Sequence, residues 1–189
     1  MKEKHRIFIA INFPHEIKKI LAKYQEKWPE LPAKWTKADN LHVTLAFLGN
    51  IDDIEIGEVC LALKEVAKKH NPFELNLNKI EYGPVDKIPP RMLWATGEKS
   101  KELSVLKNDI SESIAKVVPY SQDHKHFSLH VTLARISSFQ WKFINPEERP
   151  EIPEEINLPF SVESIEVMES KLRKEGPQYE IIESFILNE

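Results

Sequence analysis

Ile7, Ile9, Ile11 and Phe13 recur at every second position, the period of a strand. Pro14 then opens a helix with Ile17, Ile20, Leu21, Tyr24 and Trp28 on one face. Residues 29–40 read as a loop and lead into a strand over 41–48, ended by Gly49-Asn50. Asp52 or Asp53 caps a second helix carrying Ile56, Val59, Cys60, Leu63 and Ala67. Phe73, Leu75 and Leu77 restore the strand period, and 92–96 is a short strand beyond a loop with Gly83-Pro84 and Pro89-Pro90. A third helix, with Leu103, Leu106, Ile110, Ile114 and Val117 on its buried face, precedes a strand over 128–136. The acidic, proline-bearing segment 145–159 reads as a surface loop with one helical turn. Strands over 160–169 and 178–187, joined by a charged turn ending in Gly176-Pro177, finish the chain.

Short strands interleaved with helices, with several hairpins, predict an α+β fold with antiparallel sheets. No glycine-rich loop follows the first strand, which argues against a doubly wound nucleotide-binding fold.

The strands over 41–48 and 128–136 share one pentapeptide. His42-Val43-Thr44-Leu45-Ala46 recurs as His130-Val131-Thr132-Leu133-Ala134, the second histidine 88 positions after the first. Each copy follows an amphipathic helix and a loop, so the chain reads as an internal duplication with one motif per half. Alternation puts Leu41, Val43, Leu45 and Phe47 on one face of the first strand and His42, Thr44 and Ala46 on the other. On the second strand Leu129, Val131 and Leu133 oppose His130, Thr132 and Ala134. One face of each strand is a core face. The other presents an imidazole, a hydroxyl and a small residue that leaves space.

A single His-x-Thr on a strand is usually structural, but a core has no reason to place the same polar pair twice. Histidine, with an unperturbed pKa of about 6.5, gives or takes a proton near neutrality. A pair, one neutral and one protonated, serves as base and acid together. Threonine hydroxyls donate to non-bridging phosphate oxygens and stabilise a charged phosphorane-like transition state.

Composition narrows the setting. The hydrophobic fraction of 41% is that of a globular protein, and the formal charge of −4 argues against a chain-wide basic surface for duplex nucleic acid. Cys60 is the only cysteine, so no intrachain disulfide forms. With no signal peptide, a cytoplasmic location is expected. No apolar run approaches the roughly 20 residues of a membrane span.

The two motifs resemble those of the 2H phosphoesterase superfamily, marked by two His-x-Thr-x motifs, here at 42–45 and 130–133. Within it the chain looks like the RNA 2′,3′-cyclic phosphodiesterases, historically called 2′-5′ RNA ligases. Residues 6–11 resemble the family's opening strand, 40–49 and 130–135 its motifs, and 169–179 its closing segment. The resemblance implies one bilobal α+β domain over 1–189, with two antiparallel sheets flanked by helices around a central cleft in pseudo-twofold duplication. It implies hydrolysis of RNA 2′,3′-cyclic phosphate ends to 2′-phosphates, with no metal and no cofactor. His42 is then the proton donor to the departing 3′ oxygen, and His130 the acceptor from the attacking water. Thr44, Thr132 and Arg135 hold phosphate oxygens.

Strict alternation sets Arg135 on the face opposite His130, so a phosphate role needs a strand end, a bulge or a side chain curling round the edge. Its counterpart in the first motif is apolar Phe47. Trp35 either stacks on a terminal base, with Lys34 and Lys37 meeting phosphates, or packs the core. Tyr179 is a candidate cleft residue, more simply read as a packed strand tyrosine. Trp28, Trp94 and Trp141 have no special claim. His124, His126 and His130 lack the carboxylate or cysteine partners of a closed metal site, so no metal is assigned. The run 171–174 reads as a solvated turn. The expected substrates are RNA ends or small cyclic nucleotides, bound by a monomer with no membrane and no obligate protein partner. The same four motif residues would serve reversible 2′-5′ ligation or hydrolysis of another cyclic or 2′-5′-linked nucleotide. A non-catalytic RNA-end binding module is the alternative of another class, and the intact histidines and threonines count against it.

Overall fold

Nine strands pair antiparallel throughout in the computed structural model, which describes residues 3–84, 87–120, 127–174 and 176–188. They are β1 (His5–Asn12), β2 (Ala33–Trp35), β3 (His42–Ile51), β4 (Phe73–Gly83), β5 (Met92–Gly97), β6 (His130–Ile136), β7 (Glu154–Val162), β8 (Ser164–Arg173) and β9 (Gly176–Ile186). The helices are α1 (His15–Lys23), α2 (Asp53–Ala67), α3 (Lys101–Ile114) and the short α4 (Ser138–Trp141). The sheet order is β7-β4-β5-β6-β3-β1-β8-β9, with β2 also paired to β6.

This is one sheet rather than the expected two. The motif strands β6 and β3 are neighbours, and their contact joins a half built from β4 to β7 to a half built from β1, β3, β8 and β9. The seam is narrow: β3 meets β6 at the Val43–Val131 pair, and β2 occupies the same edge of β6 from Ala134 to Ile136.

The buried core is likewise continuous across the seam. Ile7, Ile9 and Ile11 from β1 and Val43 and Leu45 from β3 join Leu93 and Ala95 from β5 and Val131 and Leu133 from β6. Helices α2 and α3 cover this face with Val59, Leu63, Leu103, Leu106 and Ile110, all essentially solvent-free. Their starts are set locally. Asp52 and Glu55 form a capping box at α2, and the Ser100 hydroxyl accepts from the Leu103 N–H at α3. Among the described residues no helix is long and apolar enough to cross a membrane.

Several boundaries differ from the sequence reading. The loop over 29–40 contains β2, too short to leave a periodic signal. The segment 145–159 already enters β7 at Glu154, because its alternating Ile156, Leu158 and Phe160 pack inward despite the prolines. The strand placed over 160–169 breaks at Glu163 into β7 and β8. On α1 Ile20 is exposed, and Lys18 takes a buried place instead.

The largest correction concerns alternation. Opposite β1, Ile9 pairs with Ala46 and Ala10 with Thr44, so β3 carries one extra residue, Leu45. Opposite β5, Leu93 pairs with Ala134 and Trp94 with Thr132, so β6 carries the extra residue Leu133. Each motif therefore contains a bulge at the same place, and the faces exchange beyond it. Ala46 and Ala134 are core residues, not space-makers beside the histidines, while Phe47 and Arg135 emerge exposed on the histidine face.

Candidate active site

Val43 and Val131 share the core face, and side chains alternate along each strand. Their neighbours His42, Thr44, His130 and Thr132 therefore emerge together on the opposite face. In antiparallel register His42 stands across from Thr132 and Thr44 across from His130. The adjacency of β3 and β6 thus gathers the two repeats, 88 residues apart in the chain, into one patch.

The two imidazoles are held in the same way. His42 Nδ1 donates to the Asn40 carbonyl at 2.7 Å, and His130 Nδ1 to the Ser128 carbonyl at 2.9 Å. A carbonyl can only accept, so each neutral ring carries its proton on Nδ1 and leaves the Nε2 lone pair for chemistry. His42 Nε2 accepts from Thr44 Oγ1 at 2.9 Å. Among the described residues His130 Nε2 has no hydrogen-bond partner.

Each ring also lies against an aromatic side chain of the neighbouring strand. Phe8 of β1 stands 4.9 Å from His42, and Trp94 of β5 stands 4.5 Å from His130, both tilted by 38°. Tyr179 of β9 meets His42 edge-on at 5.3 Å, so it lines the histidine face. Sequence reasoning missed Phe8 and Trp94. The available signal was position: Phe8 alternates with the core isoleucines, and Trp94 with the buried Leu93 and Ala95.

Burial between Phe8 and Tyr179 pushes the His42 imidazole down to about 4. The hydrogen bond to Asn40 opposes this shift, and the charges of Lys18 and His130 add to it. His42 is thus a neutral ring at physiological pH in the free protein. Lys18, itself buried and lowered by burial, donates to the Asp39 carbonyl at 2.9 Å and braces the turn before β3. Glu166, buried and raised by burial, accepts from the Asn12 N–H and the Ser164 hydroxyl. Neither group stood out in the sequence, because only the folded chain brings them to the motif.

Arg135 reaches the histidine face through the bulge. It lies opposite Lys34 of β2 and Met92 of β5, and no carboxylate pairs with it among the described residues. Trp35 pairs with the core residue Ala134 and packs against the main core, away from the imidazoles. His124 and His126 lie outside the described residues, and no group of three or more potential metal ligands occurs among those described. A surface depression between α2 and β9, lined in part by Gly57, Cys60, Leu61 and Glu183, contains no motif residue. Burial and Glu183 push its thiol up to about 12, so it offers no nucleophile.

Known proteins share this fold. The family profile described as LigT-like phosphoesterase matches residues 10–94. The RNA 2′,3′-cyclic phosphodiesterase of Aquifex aeolicus is 32% identical over 159 residues, covering 84% of each chain. The RNA 2′,3′-cyclic phosphodiesterase of Geobacillus stearothermophilus is 30% identical over 99% of this chain, which spans 58% of that relative's length. A Thermus thermophilus crystal structure superposes with a TM-score of 0.82 at 26% identity, over 97% of this chain and 98% of that one. The chain belongs to the LigT-like phosphoesterases of the 2H superfamily.

Proposed function

We propose that the protein hydrolyses 2′,3′-cyclic phosphate ends of RNA to 2′-phosphomonoesters by acid–base catalysis between two histidines, without a metal. The observation that carries this reading is the gathering of two His-Thr pairs on one face, each imidazole tied at Nδ1 with its Nε2 turned away from the backbone, free at His130 and bonded to the Thr44 hydroxyl at His42. The activity for which the Aquifex and Geobacillus relatives are named, RNA 2′,3′-cyclic phosphodiesterase, supports the substrate class.

In this mechanism His130 Nε2 takes a proton from water as its oxygen attacks phosphorus. The P–O3′ bond breaks, and His42 protonates the departing O3′. Water is consumed, and a 2′-phosphate and a 3′-hydroxyl result. Thr44 and Thr132 donate to non-bridging oxygens, and the Arg135 guanidinium offsets the growing charge. His42 is neutral before substrate arrives. An anionic phosphate beside it favours the imidazolium, so it acquires its donor proton in the complex. The matched bulges, ring contacts and Nδ1 tethers also support reading the two halves as copies of one ancestral unit within a single bilobal domain.

A second reading exchanges the two roles, because a ring held neutral suits a base. Exchange places the attacking water on the His42 side, so the cyclic phosphate must turn to set its leaving oxygen toward His130. The reaction itself is tested by product identity: a short RNA with a 2′,3′-cyclic phosphate is incubated with the protein in EDTA. A 2′-phosphate is expected. No product, or a 3′-phosphate alone, overturns the assignment, and loss of activity in EDTA restores a metal. His42→Ala and His130→Ala are each expected to slow turnover by about 10²-fold or more.

A further inference from the structure

Two charged side chains lie buried beside the first motif, and the proposed chemistry uses neither. Lys18 of α1 is 8% exposed and Glu166 of β8 is 4% exposed. A lysine is rarely buried, and replacing a buried charge pair by apolar groups is often neutral or stabilising. Stability alone therefore gives no reason for Lys18 to share the buried face of α1 with Leu21. Its contacts give one.

The Lys18 ammonium donates to the Asp39 carbonyl at 2.9 Å. Asp39 is the middle residue of the 3₁₀ turn Ala38–Asn40. That turn is closed by the Asn40 N–H on the Lys37 carbonyl at 2.9 Å and the Leu41 N–H on the Ala38 carbonyl at 3.1 Å. The next carbonyl along, that of Asn40, accepts from His42 Nδ1. One hydrogen-bonded turn thus joins the ammonium to the imidazole. Glu166 supplies a negative charge near Lys18. Its carboxylate also accepts from the Asn12 N–H at 3.0 Å, and Asn12 lies opposite His42 across β1 and β3. The tether of His42 is partly buried, whereas the matching bond of His130 is exposed.

We propose that Lys18 is a positioning residue for His42: its buried ammonium, with Glu166 beside it, fixes the turn whose carbonyl holds the imidazole at Nδ1. This rests on the reading of His42 as the proton donor at a cyclic phosphate end. In the neutral ring the tether keeps the proton on Nδ1. In the imidazolium the same carbonyl retains that proton, so the one released is on Nε2, aimed at the departing oxygen. A loosened turn lets the ring swing and lose that aim.

The experiment compares the wild type, Lys18→Met and the double variant Lys18→Met/Glu166→Gln. The double variant removes both buried charges, so none is left unpaired to unfold the chain. Nitrogen NMR of the histidine rings at neutral pH reads the His42 tautomer without substrate. Steady-state kinetics on a short RNA with a 2′,3′-cyclic phosphate read kcat and KM. The wild type is expected to show the Nδ1–H tautomer alone, and both variants a mixture with Nε2–H. In the folded variants kcat is expected to fall about ten-fold or more with KM little changed. A merely structural role lowers the melting temperature and leaves the tautomer and kcat as in the wild type. That result in either folded variant overturns the proposal. Mixed tautomers in the variants, with no turnover by the wild type, remove the enzyme reading and leave the tether standing.

Discussion

The indole of Trp94 lies 4.5 Å from the imidazole of His130, and the space it occupies is left by Gly83. A Cβ at position 83 would fall 2.3 Å from Trp94 Cδ2 and Cε3, well inside contact distance. Gly83→Ala must therefore displace the indole, and with it the ring that backs His130. The expected outcome is a destabilisation of about 1–3 kcal/mol, the usual cost of overpacking. A fall in kcat larger than any change in KM is also expected, because a loosened imidazole loses its reacting geometry. Denaturant melts and steady-state kinetics check both. Unchanged kcat in Gly83→Ala would show that Trp94 does not position His130.

His42 ties stability to pH. Its folded pKa of about 4 lies below the ordinary 6.5, so the unfolded chain binds the proton more readily. The stability linked to this group is fully present above about 6.5 and is lost as pH falls from there to about 4. The total is about 3 kcal/mol for a shift of this size. His42→Gln keeps a polar side chain and removes the titration. Its stability is expected to fall less than that of the wild type between those limits. Urea melts across this range check it. Parallel curves for the two proteins would place the His42 pKa near its ordinary value.

The repeated pentapeptide was legible as a pair of chemical faces because strand alternation needs no tertiary information. His42, Thr44, His130 and Thr132 do share a face, as that alternation requires. Alternation failed two residues later, at Ala46 and Ala134, because a bulge is defined by the partner strand's register and leaves no mark on its own hydrophobic pattern. The same bulge resolves the conflict over Arg135. Two sheets were expected from the family resemblance, which implies two lobes. Nothing in either half alone indicates that β3 and β6 become neighbours. The aromatic backing of each histidine was hidden for a similar reason: Phe8 and Trp94 come from strands distant in sequence from their partners.

Asn40 links the first motif to the end of the chain. Its carbonyl accepts from His42 Nδ1 at 2.7 Å. Its buried side chain donates to the Pro177 carbonyl at 2.7 Å and accepts from the Tyr179 N–H at 3.4 Å. Strand β9 thus holds the turn whose carbonyl sets the His42 tautomer, and it brings Tyr179 against the same ring. Asn40→Ala removes both side-chain bonds and leaves backbone groups unpaired, with an expected loss of about 1–3 kcal/mol. A purely structural role would stop there, lowering the melting temperature and sparing the rate of the protein that remains folded. A positioning role predicts more: at a temperature where the variant is fully folded, kcat falls while KM is little changed, and the alkaline limb of the rate profile moves. The limb moves because His42 loses a fixed acceptor for its Nδ1 proton. Asn40→Asp keeps the size but turns an oxygen toward the Pro177 carbonyl, so it should not rescue either property. A folded Asn40→Ala with the wild-type kcat and an unmoved pH profile would confine Asn40 to holding β9 in place.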